Sequence, residues 1–113
     1  MKIIRKKETI ISKNSLKCTA IEYPLNDKDI NGAVIKLKGR YPDKGKTVNT
    51  KCKEMAYIIN GEGQIVVNNK KIVLCKGDLV LIYPNEEYYW EGDLEMFIPC
   101  TPAWFPEQHK IID

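Results

Sequence analysis

A single histidine, His109, serves all 113 residues, and none of the four cysteines (Cys18, Cys52, Cys75 and Cys100) forms a Cys-x-x-Cys pair. A structural zinc site gathers four such ligands in close pairs, so this chemistry is excluded from the outset. No apolar run reaches the roughly 18 residues that cross a membrane as a helix. The opening MKIIRKKETII has a basic patch but neither the apolar core nor the small-residue cleavage site of a signal peptide. The expectation is therefore a cytoplasmic protein whose thiols stay reduced and behave as small hydrophobes. Helical periodicity is missing too: no window of about a dozen residues keeps an apolar face free of Gly, Pro and β-branched runs.

What is present is ordinary in bulk and uneven in charge. The hydrophobic share of 43% and charged share of 29% are those of a globular domain with a real core. The net charge of +3 divides sharply: residues 1–53 hold 14 basic and 5 acidic side chains, residues 54–113 hold 4 and 10. The lysines are scattered at strand-face spacing with few aromatics among them, which reads as a solvated sheet face and not as a nucleic-acid groove.

Short β-rich segments punctuated by turn residues fill the chain. Residues 33–41 alternate, with Ala33, Ile35 and Leu37 on one side and Lys36, Lys38 and Arg40 on the other. Glu54–Gly63, EMAYIINGEG, reads as a strand that breaks at an Asn-Gly-Glu-Gly hairpin turn. Asn68-Asn69-Lys70 reads as a second hairpin, and Gly77-Asp78, Pro84-Asn85 and Gly92-Asp93 as further turns. Leu94, Met96, Ile98 and Cys100 share one apolar face. So many short strands at close spacing predict an all-β sandwich or barrel in a single domain spanning 1–113.

Two blocks of residues resemble the cupin superfamily. Glu54 and Gly61, six residues apart in between, match the second half of the family's first motif, and Glu62-Gly63 follows as is common there. Gly77-Asp78 and Pro84-Asn85-Glu86-Glu87-Tyr88 follow the spacing of its second motif, with substitutions. The resemblance implies a jelly-roll, double-stranded β-helix barrel over 33–105, with 1–32 as an N-terminal arm and edge strands and 106–113 as a tail. The family's metal-binding histidines would fall at Thr47 and Asn49, or at Val48 and Thr50, and the third at Tyr88. None is histidine, and His109 lies beyond the second motif. One carboxylate alone does not hold a transition metal against water, so the chain reads as a cupin without metal or other cofactor.

The candidate residues follow from strand parity and composition. Glu54 facing inward carries Cys52 inward with it. The thiol has no histidine nearby in sequence and a carboxylate beside it, which raises a thiol pKa, so the inert reading of Cys52 is preferred. Tyr88 and Trp90 share a face and offer rings with polar tips where the family places its last metal ligand. Asn49 and Tyr41 complete the expected ligand-binding set of Glu54, Cys52, Asn49, Tyr88, Trp90 and Tyr41, with Arg40 beside Tyr41 a possible contact for an anionic ligand. Trp104 and Phe105 are read as dimer packing or tail anchoring, with cover for the pocket mouth as the other option. The function expected is binding of a small organic ligand in the barrel interior. Two alternatives stand beside it: a metal-independent isomerase or epimerase on a sugar-like substrate, with Glu54 and Tyr88 as base and acid, or a metalloenzyme drawing on Glu54, Cys52, Asn49 and Tyr88. Whether the chain is an enzyme stays open. Nucleic-acid and membrane partners are not expected; a homodimer through the isoleucine-rich N-terminal arm is.

Overall fold

Alternation of apolar and polar residues over most of the chain leaves it one way to bury its hydrophobes: a sheet with one face turned in. The computed structural model describes all 113 residues, Met1–Asp113. It has nine strands: β1 (Ile10–Ser15), β2 (Cys18–Glu22), β3 (Asn31–Tyr41), β4 (Lys46–Asn49), β5 (Lys53–Val67), β6 (Lys70–Cys75), β7 (Leu79–Ile82), β8 (Tyr88–Thr101) and β9 (His109–Ile112). The only helical pieces are two 3₁₀ turns of three residues each. Every strand pairing is antiparallel. The sheet runs β1-β2-β3-β8-β4-β9, and β5 joins β8 while carrying β6 and β7 on its other edge. It curls on itself into a barrel whose core holds Leu37, Ile58, Ile65, Leu94 and Met96, each at most 2% exposed.

Two predicted turns are not turns. Asn60–Gly63 and Gly92-Asp93 lie inside continuous strands, β5 and β8, which pair from Lys53↔Thr101 to Val67↔Tyr88 with an irregularity between Ile58 and Asn60. The glycines bend these strands instead of reversing them. Gly39, Gly92 and Gly63 are direct cross-strand partners on β3, β8 and β5. A Cβ on Gly92, at φ +139°, would lie 2.5 Å from the Gly63 Cα, so this corner closes only where side chains are missing. By contrast, the hairpin predicted at Asn68-Asn69-Lys70 is there, its loop shortened to Asn68-Asn69 because Lys70 already pairs with Val67, and both loop residues have positive φ (48° and 68°).

The bend decides where the site forms. Laid flat, a rise of about 3.3 Å per residue would hold Glu54 about 43 Å from Val67, the partner of Tyr88. Folded at the glycine corner, the ribbon brings its two ends face to face across the barrel. The Tyr88 hydroxyl then donates to Glu54 Oε1 at 3.0 Å.

Candidate functional site

Three side chains are both polar and fully buried: Thr47 (0% exposed), Asn49 (2%) and Gln108 (2%). They cost free energy unless paired, and their pairing builds the site. Gln108 Oε1 accepts from the backbone N–H groups of Lys51 and Cys52 at 3.2 and 3.1 Å. Backbone N–H groups are only donors, so the Gln108 amide has one orientation, and its Nε2 donates to Asn49 Oδ1 at 2.9 Å. That sets Asn49 in turn. Its Nδ2 donates to Glu54 Oε1 at 2.7 Å and to the Tyr88 hydroxyl at 3.1 Å. Its Oδ1 accepts a second bond, from His109 Nδ1 at 2.8 Å.

His109 therefore carries its proton on Nδ1 and offers Nε2 as acceptor. Two hydroxyls face Nε2, Thr47 Oγ1 at 2.9 Å and Tyr41 at 3.2 Å. The Thr47 hydroxyl donates its one proton to the Lys110 carbonyl at 3.0 Å, so Tyr41 is the donor to the neutral imidazole, while both oxygens can accept from an imidazolium N–H. The ring lies parallel to Tyr41, 12° between planes, and 5.5 Å from the Trp104 ring centre.

Burial sets the electrostatics. It holds the Glu54 carboxyl above the ordinary carboxylate value, opposed by the hydrogen bonds from Tyr88 and Asn49. Burial likewise pulls His109 below 6.5, because each group is hindered in its charged form. Tyr41 is raised to about 12 by burial. Tyr88 is raised well above its usual value by burial and by the Glu54 charge. Both phenols thus keep their protons and serve as donors. The result is two base–phenol pairs, Glu54–Tyr88 and His109–Tyr41, joined through one asparagine amide.

Glu54, Tyr88, Trp90, Tyr41, Trp104 and His109 all line a cavity of about 410 Å³, within the size of small-ligand sites. Two polar atoms there have no partner in the chain. Glu54 Oε1 takes both hydrogen bonds, leaving Oε2 free, and the Trp90 Nε1–H is free as well. Neither is sealed from solvent.

Four of the six expected ligand-binding residues line the cavity and two do not. Asn49 lies behind the wall as the brace between the pairs. Cys52 is fully buried, as parity demands, but its thiol donates to the Pro102 carbonyl at 3.3 Å, beside the Cys100 thiol, which binds the same oxygen at 3.4 Å. Burial raises both thiols, Cys100 to about 12. Arg40, considered for an anionic ligand, is turned away: it stacks 3.8 Å over Tyr89 and donates to the carbonyls of Pro42 and Gly45. The residue that sequence reasoning set aside is His109. Its place as the cross-strand partner of Asn49, on the strand where the family's histidines would stand, could be sought only in its being the one imidazole available.

The metal that the family implies does not fit. No three His, Cys, Asp or Glu side chains come together as a ligand set. The layer offers one carboxylate, one imidazole, and neutral amide and hydroxyl groups already bonded to one another. The unusual set of Glu54, Cys52, Asn49 and Tyr88 does not assemble either, because the Cys52 thiol points to Pro102.

No protein-family model matches the chain, and no curated protein does. Solved structures do. Streptomyces Pac13, described as a nucleoside dehydratase, superposes with a TM-score of 0.89 at 16% identity, over 99% of this chain and 91% of that one. A variant of it solved with uridine gives 0.89 at 16%, over 98% and 90%. Ectoine synthase from P. lautus gives 0.75 at 15%, over 100% and 91%, and KdgF from Halomonas sp. gives 0.73 at 13%, over 90% and 94%. At such identities the likeness speaks for the fold. The chain is a β-barrel of the cupin fold.

Proposed function

We propose that this protein binds a small hydroxylated organic molecule in the barrel interior and acts on it by acid–base chemistry, without a metal. One observation carries the reading: a half-buried carboxyl and a half-buried imidazole on the cavity wall, each bonded to a phenol, hang from opposite ends of one asparagine amide behind it. Groups whose environments move them from their ordinary pKa values, converging in a cleft, are the usual signature of acid–base sites.

The reaction class we assign is removal of water. Glu54 takes the proton from carbon through its free Oε2; the electron pair forms the double bond and the carbon–oxygen bond breaks. The departing hydroxyl takes the proton of Tyr41, whose hydroxyl His109 Nε2 orients, and leaves as water; the proton that Glu54 took from carbon then returns to the Tyr41 phenolate through solvent, restoring both groups. Tyr88 and Asn49 hold the carboxylate in place. The similarity to a nucleoside dehydratase supports this choice, and makes nucleosides the first probes. Incubation with a panel of nucleosides, read by mass spectrometry, is expected to give loss of one water that disappears in Glu54→Gln while the fold persists. A product of unchanged mass with a moved double bond or inverted centre would replace dehydration with isomerisation. Stoichiometric metal in the purified active protein would overturn the metal-free reading.

A cytoplasmic homodimer belongs to the same reading. β1 is an edge strand with a single neighbour, and its Ile11 is 69% exposed, an arrangement that invites a second copy. A monomeric mass by light scattering would count against it.

A further inference from the structure

We infer that the cavity selects uncharged or positively charged ligands and turns away those bearing phosphate or carboxylate groups. This deepens the reading of the barrel interior as a ligand site and rests on it. The chain has 18 lysines and arginines and a net charge of +3, yet none of the 18 lines the cavity. Carboxylates line it: Glu54 beside His109, and Glu22 and Asp27 on β2 and the segment after it.

Four of the cations flanking the cavity are turned or tied away from it. Lys36 and Lys38 alternate with the inward residues of β3 and are exposed on the outer face, where Lys36 lies 3.7 Å from Glu95. Arg40 is held over Tyr89 and by two carbonyls. The Lys2 ammonium bonds the carbonyls of Leu25 and Asn26 at 2.9 and 3.0 Å, bracing the mouth segment. An anion entering the barrel would shed its water and meet no counter-charge, which is strongly unfavourable.

Two unpartnered atoms specify what is welcome. Glu54 Oε2 accepts only, so it calls for a hydroxyl or an ammonium group. The Trp90 Nε1–H, on a side chain 5% exposed, calls for a carbonyl or ether oxygen. Apolar walls from Ile35, Met96 and Ile98 suit the flat or aliphatic remainder of such a molecule.

The test separates this charge selection from the choice of nucleosides. Cationic, neutral and anionic nitroxides of one ring type are added to the ¹⁵N-labelled protein, and relaxation of the Trp90 and Trp104 indole N–H signals is measured. Greater relaxation by the cationic than by the anionic probe is expected there, with the order reversed at Lys36 and Lys38. The double variant Glu22→Gln, Asp27→Asn should bring the indole ratio toward unity; asparagine retains the oxygen that accepts from the N–H groups of Asp29 and Ile30. An indole ratio at or below one in the native chain overturns the inference. Calorimetry with uridine and uridine 5′-monophosphate then reads the consequence: uridine is expected to bind at least about tenfold more tightly, a difference of about 1.4 kcal/mol. Equal or tighter binding of the phosphate overturns the inference. If neither binds while the nitroxide ratio holds, charge selection stands and the nucleoside reading falls.

Discussion

The two base–phenol pairs are built alike and shifted oppositely. In each, a titratable group bonds a tyrosine hydroxyl on one side and the Asn49 amide on the other. Burial raises Glu54 and lowers His109, because the same low-dielectric wall disfavours both a negative carboxylate and a positive imidazolium. The difference teaches that one physical cause acts in opposite senses on two unlike bases. A raised carboxylate is a stronger base, and a lowered imidazole is a weaker one that stays neutral near pH 7 as a hydrogen-bond acceptor.

The sharpest way to break the comparison is to remove the hinge. Asn49→Ala strips a bond from Glu54, Tyr88, Gln108 and His109 together and leaves buried polar atoms unpaired. A loss of about 3 kcal/mol is expected in urea denaturation, with both pairs disrupted. Gln108→Ala comes next, at about 2 kcal/mol, since the Lys51 and Cys52 amides lose their acceptor. It also frees the Asn49 amide to rotate, so the ¹⁵N shifts of His109 should move away from the pure Nδ1–H pattern. An unchanged tautomer would show that Gln108 does not orient the imidazole.

A smaller effect separates the pairs by pH. The folded chain holds the Glu54 proton more tightly than the unfolded chain, so its contribution is complete below about 4.5 and is lost as pH rises through the raised value. Glu54→Gln removes that loss. Its melting temperature relative to the native chain should climb between mildly acidic and neutral pH. His109 runs the other way: its contribution is present above 6.5 and lost as pH falls through the lowered value. The imidazole proton signals should accordingly titrate with a midpoint below 6.5. Parallel pH profiles for Glu54→Gln and the native chain would contradict the raised carboxyl.

The smallest change expected is from Tyr41→Phe, about 1 kcal/mol for one partly buried hydrogen bond. It should move the Nε2 shift of His109 and leave Nδ1, held by Asn49, unaltered. Movement at both nitrogens would mean that the two ends of the imidazole are not set independently.

Legibility in the sequence differed between the pairs for a physical reason. Glu54 and Tyr88 sit in motifs whose spacing is local, and strand parity then places their side chains inward. His109 is 60 residues from Asn49 along the chain, and only the β4–β9 register brings them side by side. Gln108 gave no signal at all, because an amide on a 3₁₀ turn becomes informative only once its backbone partners are known. The misread turns at Asn60–Gly63 and Gly92-Asp93 have a related cause. Glycine marks both a reversal and a close approach of strands, and local sequence does not distinguish them.

The sequence by itself determined the β character, the shared faces that hold Leu37, Leu94 and Met96, a hairpin at Asn68-Asn69-Lys70 and the placement of Glu54 at the head of an inward-facing strand. These follow from alternation and turn chemistry, which act over a few residues. Only the tertiary structure decided that Glu54 meets Tyr88, that His109 replaces the expected outsider with a wall residue, and that Cys52 and Asn49 stand off the cavity. Those outcomes depend on a ribbon folding at Gly39, Gly92 and Gly63 and on a final strand docking on β4, contacts between residues far apart in the chain that no local pattern encodes.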